Sequence, residues 1–178
     1  MKIYDKKNLD LIVNELKNHK TLVTATDTVP GLISINDTDI YKIKKRSLDK
    51  KIVLFISDFN MIPNVSEAIK KIAKTFWPGS LTIVWQKQAY RIPNDIFLIQ
   101  LIDRIGPLYC SSANVSGKGI IKNFSEAICA FEDNKSNLIF VNKKFFFNNP
   151  STIYSLDDNK ILREGDISYE QIRKCLEN

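Results

Sequence analysis

The sequence has few of the residues that most catalytic triads and metal sites use. Among its 178 residues are a single histidine, His19, and three widely spaced cysteines, Cys110, Cys129 and Cys175. A histidine-rich metal site is excluded, a histidine-based triad is nearly so, and the cysteine spacing matches neither a zinc ribbon nor a disulfide framework. We interpret the cysteines as reduced thiols of a cytosolic protein and His19 as a structural residue.

Glycine and long apolar runs are also scarce. The six glycines occur at positions where neither GxxxxGK[ST] nor GxGxxG can be written, so the familiar phosphate-binding loops are absent. No apolar run approaches the about 18 residues of a membrane helix, and the first residues lead into no apolar signal-peptide core. We expect a cytoplasmic protein without membrane contact that holds any nucleotide with side chains and irregular loops.

The composition is that of a globular domain. Hydrophobic residues make up 44% and charged residues 26%, which excludes global disorder. Helical and strand-like patterns alternate along the chain without a repeat or linker, and some strands follow each other without a helix. Among the predicted helices are residues 37–45 and residues 168–176, the second with Ser168 as its N-cap and Gln171 three residues on. The predicted strands are 21–25, 31–35, 52–57, 81–85, 108–111, 138–141, 152–156 and 160–162. We therefore predict one domain over residues 1–178, of α/β (α+β) class, with a single open mixed sheet and flanking helices.

Positive charge is concentrated in one segment. Residues 42–51, KIKKRSLDKK, hold six basic residues and one acidic residue, or +5 of the net +6. The cluster fits a phosphorylated ligand, a nucleic acid, or simply a solvated lysine-rich helix end. If the predicted helix ends near Lys45, an extended chain would place Lys44 and Arg46 on one side, where both cations could hold one anion.

Other polar segments follow predicted strands, where sites often form. Each could alone be an ordinary turn, but in their order and spacing they resemble the YrdC-like family of threonylcarbamoyl-AMP synthases, in its short, single-domain form. The matching motifs are TDTV-G-L at 26–32, KxR at 44–46, WPG-LT at 77–82, RxP at 91–93, SANxSG at 112–117, STI at 151–153 and RxG at 163–165. The resemblance covers about residues 10 to 170 and implies a twisted open sheet with a cationic concave surface.

The resemblance also implies an activity. L-threonine, bicarbonate or CO2, and ATP would give threonylcarbamoyl-AMP and pyrophosphate, with Mg2+ on the nucleotide and no direct protein ligand to the metal. This is the first step of N6-threonylcarbamoyladenosine formation in tRNA. The implied partner is a downstream tRNA threonylcarbamoyl-transferase complex, and a weak contact with tRNA itself is compatible with the charge. No covalent enzyme nucleophile is needed, which agrees with the lack of a triad.

Site residues carry over by the same resemblance. Lys44 and Arg46 would be catalytic, because positioning and charge stabilisation would drive the reaction. The residues expected to bind ATP are Lys44, Arg46, Lys50, Ser112, Asn114 and Arg163. The residues expected to bind threonine are Arg91, at the carboxylate, and Thr26, Thr28 and Ser151, at the amine or hydroxyl.

Several positions depart from the family pattern. The departures are Pro30 for an aromatic residue, Ser47 and Lys51 for prolines, and Phe55 and Asp95 for frequent histidines.

Two other functions stay open. One alternative function is that of a non-catalytic RNA-binding module, although the aromatic residues do not alternate with cations as stacking platforms would. The other is a carbamoyl-transfer accessory domain, as in hydrogenase-maturation proteins, which is disfavoured because no zinc-finger or acylphosphatase segment is present.

Overall fold

The chain folds into two compact units, each built from two stretches of sequence. A computed structural model describes residues 2–114, 117, 119, 121, 123–141 and 148–177. The first unit comprises Met1–Ile52 and Leu108–Asn148, and the second comprises Val53–Pro107 and Asn149–Asn178. Strands and helices interleave in both, so the mixed α/β class is confirmed, while the expectation of one domain stays a prediction.

The described residues form six α-helices, two short 3₁₀ helices (Phe59–Met61 and Glu132–Asn137) and ten strands. The helices are α1 (Leu9–Lys17), α2 (Asp37–Lys44), α3 (Glu67–Phe76), α4 (Ile96–Ile105), α5 (Phe124–Ala130) and α6 (Tyr169–Glu177). The strands are β1 (Lys2–Tyr4), β2 (Thr21–Thr24), β3 (Gly31–Ser34), β4 (Val53–Phe55), β5 (Leu81–Trp85), β6 (Gln88–Arg91), β7 (Leu108–Ser112), β8 (Leu138–Val141), β9 (Thr152–Ser155) and β10 (Lys160–Arg163). None of these helices is long and apolar enough to cross a membrane.

The first unit contains strands in the order β1-β8-β2-β3-β7. Strand β8 is parallel to β1 and β2, and β3 is antiparallel to β2 and β7. All four residues of each of the strands β2, β3 and β8 are buried, which explains why none of these strands contains a charged residue. Their side chains form a core with the buried residues of α2 and α5, including Val23, Leu32, Ile43, Ala127 and Phe140.

The second unit contains strands in the order β4-β6-β5-β9-β10. The pairs β4/β6 and β5/β9 are parallel, whereas β5/β6 and β9/β10 are antiparallel. Helices α3 and α6 contribute to one core that also includes Trp77 and Tyr154. The predicted cap of α6 is confirmed, because the backbone N–H of Gln171 donates to Ser168 Oγ and that of Ser168 donates to Gln171 Oε1.

Two strands were not predicted. Strand β6 follows β5 through Gln86 and Lys87, which both have positive φ values but lack the Asn-Gly signature of such a hairpin. Asp157 stabilises this turn, since its carboxylate accepts hydrogen bonds from both backbone N–H groups at 2.9 Å. Strand β1 is only three residues long and mostly exposed, so it lacks the apolar pattern of a buried strand.

Candidate functional site

Lys44 is the best-defined residue of the candidate site in the first unit. It is the last residue of α2 and is 1% exposed. Its Nζ donates to the backbone carbonyl of Ser112 and, at 3.0 Å, to Asn114 Oδ1. Within the described part of the chain no carboxylate lies at ion-pair distance from this amine. Among the described residues, this buried cation is therefore held by neutral groups.

The surroundings of Lys44 lower the pKa of its amine. Burial and, to a smaller extent, the positive charge of Arg46 lower the pKa of the Lys44 amine from 10.5 to about 8, while Cys110 opposes the shift. Desolvation acts in this direction because it penalises the charged form of an amine. A strongly perturbed pKa with a specific charge partner is typical of functional sites.

The prediction of an extended segment after α2 is wrong. The structure has a left-handed helix cap there. Lys45 has φ 49° and ψ 43° and is exposed, so α2 ends there and residues 44–46 are not extended. The guanidinium of Arg46 then donates from Nε to the carbonyl of Lys50 at 3.0 Å and from Nη2 to that of Lys51 at 3.1 Å. Lys50 itself is exposed. The two predicted cations lie near each other, but Arg46 holds its own loop.

Ser112 and Asn114 lie at the end of β7, as the motif predicts. The Ser112 hydroxyl donates to Asn114 Oδ1 at 2.6 Å, so this oxygen accepts from both Ser112 and Lys44. The backbone N–H of Ala113 donates to the carbonyl of Pro30 at 2.7 Å, which fixes the end of the strand. Two further positions of the same motif, 115 and 116, lie outside the described residues.

Thr26 and Thr28 are both buried, but their roles differ. The Thr26 hydroxyl donates to the carbonyl of Val29 at 2.8 Å and accepts from the backbone N–H of Thr28 at 3.1 Å. Thr26 therefore closes a turn, as Ser and Thr side chains often do. The Thr28 hydroxyl lies 3.2 Å from Thr26 Oγ1. Asn148 fixes the loop through bonds to the carbonyls of Thr28 and Asp27.

In the second unit, Arg91 is a buried cation that packs on an aromatic ring. It ends β6 and is 3% exposed. Its Nε donates to the carbonyl of Gly79 at 2.8 Å, and its Cζ lies 5.6 Å from the ring centroid of Phe55, its partner in the parallel pair β4/β6. The departure at Phe55 thus gives Arg91 a cation–π contact.

Ser151 and Arg163 form a second polar group of this unit. Arg163 donates from Nε and Nη2 to the carbonyl of Ser151, at 3.0 and 2.8 Å, and from Nη2 to Ser151 Oγ at 3.0 Å. Burial and the positive charge of Arg91 lower the pKa of the Arg163 guanidinium. Gly165 allows its own backbone to pack closely against residues 150–152. A Cβ at position 165 would lie 2.5 Å from both the carbonyl oxygen of Pro150 and the backbone nitrogen of Thr152.

Two residues that the sequence analysis did not assign to the site contact the predicted ones. Thr82 Oγ1 lies 2.9 Å from Ser151 Oγ, and its place in the WPG-LT motif was the available signal. The Tyr41 hydroxyl donates to the carbonyl of Lys50 at 3.2 Å, beside the bond from Arg46, and no sequence pattern pointed to it. The ring nitrogen Nδ1 of His19 lies 3.0 Å from the amide nitrogen Nδ2 of Asn36, which is consistent with a structural role for His19.

No cluster of three or more His, Cys, Asp or Glu side chains suited to a metal ion occurs in the residues that the structure describes. The oxygens beside Lys44 are those of Ser112 and Asn114, and Asn114 Oδ1 already accepts two hydrogen bonds. These residues fit a hard cation only if it carries most of its oxygen ligands with it, as a magnesium ion on nucleotide phosphates does.

Comparison with known proteins gives a family and a fold. The Sua5/YciO/YrdC family model, described as telomere recombination, matches residues 14–165. A protein of Mycoplasma pneumoniae without an assigned function is 34% identical over 88% of this chain and 34% of its own length. The chain thus spans about a third of that relative. A putative threonylcarbamoyl-AMP synthase of Methanocaldococcus jannaschii is 31% identical over 98% of this chain and 97% of its own length.

A solved structure has the same fold. The crystal structure of Pyrococcus abyssi Sua5 complexed with L-threonine superposes with a TM-score of 0.82. It is 22% identical, and the match covers 98% of this chain and 59% of that chain. The YrdC-like fold predicted from the motifs is therefore confirmed.

Proposed function

This chain belongs to the Sua5/YciO/YrdC family, and we propose that it is a threonylcarbamoyl-AMP synthase. The proposed reaction joins L-threonine, bicarbonate or CO2, and ATP, and releases pyrophosphate. Support comes from the Methanocaldococcus relative, which is named for this activity, and from the Pyrococcus structure, which holds L-threonine.

The buried amine of Lys44 is the observation that carries the proposal. Burying a cation among neutral groups is costly, and the cost is recovered when an anion binds beside it. A nucleoside triphosphate is such an anion. We assign Lys44 and Arg46 to the triphosphate, where they would stabilise charge that develops at the α-phosphorus, with Lys50 in support.

The proposed chemistry needs no covalent intermediate with the protein. The threonine nitrogen adds to CO2 and loses a proton, which gives a carbamate. A carbamate oxygen then bonds to the α-phosphorus, the bond from that phosphorus to the bridging oxygen breaks, and pyrophosphate leaves. Positioning of the two reactants can supply about 7–11 kcal/mol of the barrier reduction.

The remaining site residues divide between the two substrates. Ser112 and Asn114 would hold the nucleotide, and Arg163 the adenylate. Arg91 would take the threonine carboxylate, because a guanidinium matches a carboxylate with two parallel hydrogen bonds. We assign Thr28 and Ser151 to the polar groups of threonine, with Thr26 beside them as the residue that closes the turn.

Magnesium would enter on the nucleotide and neutralise part of its phosphate charge. Because the Ser112 hydroxyl hydrogen is donated to Asn114, the lone pairs of Ser112 Oγ can accept a hydrogen bond from a water on the metal. Direct protein ligation is not part of the proposal.

We also propose where the product goes. A carbamoyl–phosphate anhydride hydrolyses in water, so a tRNA threonylcarbamoyl-transferase complex would have to consume it promptly, and this use of ATP and tRNA would place the chain in the cytoplasm. Exposed lysines near the candidate site would allow a weak, salt-dependent contact with tRNA. These are Lys42, Lys45, Lys50 and Lys51.

A pyrophosphate-release assay tests the proposal. The purified protein should consume ATP only when threonine and bicarbonate are both present, and should produce AMP-linked product and pyrophosphate in equal amounts. Matched reactions with serine in place of threonine and with bicarbonate removed serve as controls. Release of orthophosphate, or turnover that does not depend on threonine, would contradict the assignment.

A further inference from the structure

The hydroxyl of Thr82 is the most deeply buried polar group of the Ser151–Arg163 group. Thr82 lies in β5 and is 0% exposed, whereas Ser151 is 4% exposed. The two hydroxyl oxygens are 2.9 Å apart, and either could be the donor by distance alone. In the described part of the chain, Thr82 Oγ1 has no other hydrogen-bond partner.

The hydrogens and lone pairs of the two hydroxyl groups decide which of them donates in this bond. Each hydroxyl has one hydrogen and two lone pairs. If Ser151 donated, the hydrogen of Thr82 would be sealed in the core without an acceptor, which costs more than an unused lone pair. If Thr82 donates, the hydrogen left over belongs to Ser151, the more exposed of the two.

Arg163 occupies one lone pair of the Ser151 hydroxyl oxygen. Its Nη2 donates to Ser151 Oγ at 3.0 Å. With Thr82 donating as well, both lone pairs of this oxygen are used. Ser151 can then interact with a ligand only through its own hydrogen.

We infer that Thr82 is a positioning residue that makes Ser151 an obligate hydrogen-bond donor. The inference rests on the proposed function and deepens it. The group of threonine that meets Ser151 is an oxygen that accepts, on the hydroxyl, the carboxylate or the nascent carbamate, and not the ammonium. Thr82 itself touches no substrate.

The test compares Thr82→Val, which keeps the shape and loses the hydroxyl, with Thr82→Ser, which keeps the hydroxyl. Thr82→Val should raise the KM for threonine by about threefold to tenfold, the effect of one net hydrogen bond. The KM for ATP should stay within about twofold, and Thr82→Ser should restore the KM for threonine. Equal changes in both KM values, or no change with Val, would overturn the inference.

A double-mutant cycle with Ser151→Ala separates positioning from general damage to the core. If Thr82 acts through Ser151, Thr82→Val should add nothing to the KM for threonine once Ser151 is alanine. Additive effects would overturn the inference. If Val at position 82 prevents folding, Thr82→Cys, a weak donor of similar size, should change the KM in the same direction.

The wild-type control keeps the two proposals distinguishable. A wild-type protein that releases no threonine-dependent pyrophosphate contradicts the proposed function. An active wild type whose KM for threonine is the same as that of Thr82→Val contradicts only the role of Thr82.

Discussion

The amine of Lys44 donates to Asn114 Oδ1 at 3.0 Å, although 70 positions separate the two residues in the chain. Asn114 Oδ1 also accepts from the hydroxyl of Ser112. The cation is therefore fixed in place before any ligand binds. Fixed charges and dipoles stabilise a transition state without reorganising during the reaction.

Lys44 should matter far more than its neighbour Lys45. Lys44→Met should lower kcat by about 10²–10³-fold, the usual loss for one transition-state donor. Lys45→Asn removes an exposed charge and keeps a residue that tolerates a positive φ, so it should change kcat by less than about twofold. Steady-state pyrophosphate release measures both. Equal losses that disappear in high salt would indicate a diffuse basic patch and favour RNA binding.

The activity should decrease as the pH rises through the pKa of Lys44. The amine is charged below about pH 8 and neutral above it, and only the charged form attracts phosphate. The value of kcat/KM for ATP, which reports the unliganded enzyme, should therefore fall above about pH 8. Lys44→Met should lack this step, and an identical step in the variant would assign it to another group.

Stability should change with pH in the opposite direction. The pKa of Lys44 is about 8 in the folded chain and 10.5 in its ordinary state, so the unfolded state binds more protons between these values. The free energy of unfolding of the wild type, relative to Lys44→Met, should therefore increase from about pH 8 to pH 10.5. Urea titrations across this range measure the difference, and a decrease would contradict the pKa shift.

Arg46 should hold the loop that follows it. Arg46→Lys loses the fork that reaches the carbonyls of Lys50 and Lys51, because an amine cannot reproduce two fixed donors. Backbone hydrogen exchange over residues 47–51 should increase by about fivefold to tenfold, with a higher KM for ATP. Lys42→Ala, an exposed change on α2, is the control. Unchanged exchange would show that the loop does not depend on Arg46.

Arg91 should affect threonine rather than ATP. Arg91→Ala should raise the KM for threonine by about 10- to 100-fold, as expected for a lost hydrogen bond to a charged group, and leave the KM for ATP nearly constant. Arg104→Ala, an exposed arginine in the last turn of α4, is the matched control. If the threonine KM of Arg91→Ala equals that of the control, the carboxylate binds elsewhere.

Gly165 should tolerate no side chain. A Cβ there would meet backbone atoms at 2.5 Å, so Gly165→Ala should lower the free energy of unfolding by about 1–3 kcal/mol. Nothing lies within 4 Å of a Cβ built on Gly119, and Gly119→Ala should change stability by less than about 0.5 kcal/mol. Urea unfolding decides, and similar midpoints for the two variants would disprove the close packing.

Local sequence determined the elements whose signals are local. The buried runs of β2, β3 and β8 and the cap of α6 depend on neighbouring residues, so their positions were predicted to within a few residues. Strand β6 was missed because its turn is stabilised by Asp157, about 70 positions away, which no window around Gln86 and Lys87 includes. The motifs also predicted which residues form the candidate site, since their order and spacing belong to the sequence itself.

Only tertiary structure decided what those residues do in the folded chain. The sequence cannot show that Lys44 is buried among carbonyl and amide oxygens, and this burial is what lowers its pKa to about 8. Nor can it show that Arg46 holds its own loop or that Thr82 reaches Ser151, 69 positions away. Desolvation and hydrogen-bond direction depend on groups that only folding brings together, so they follow from packing rather than from any motif.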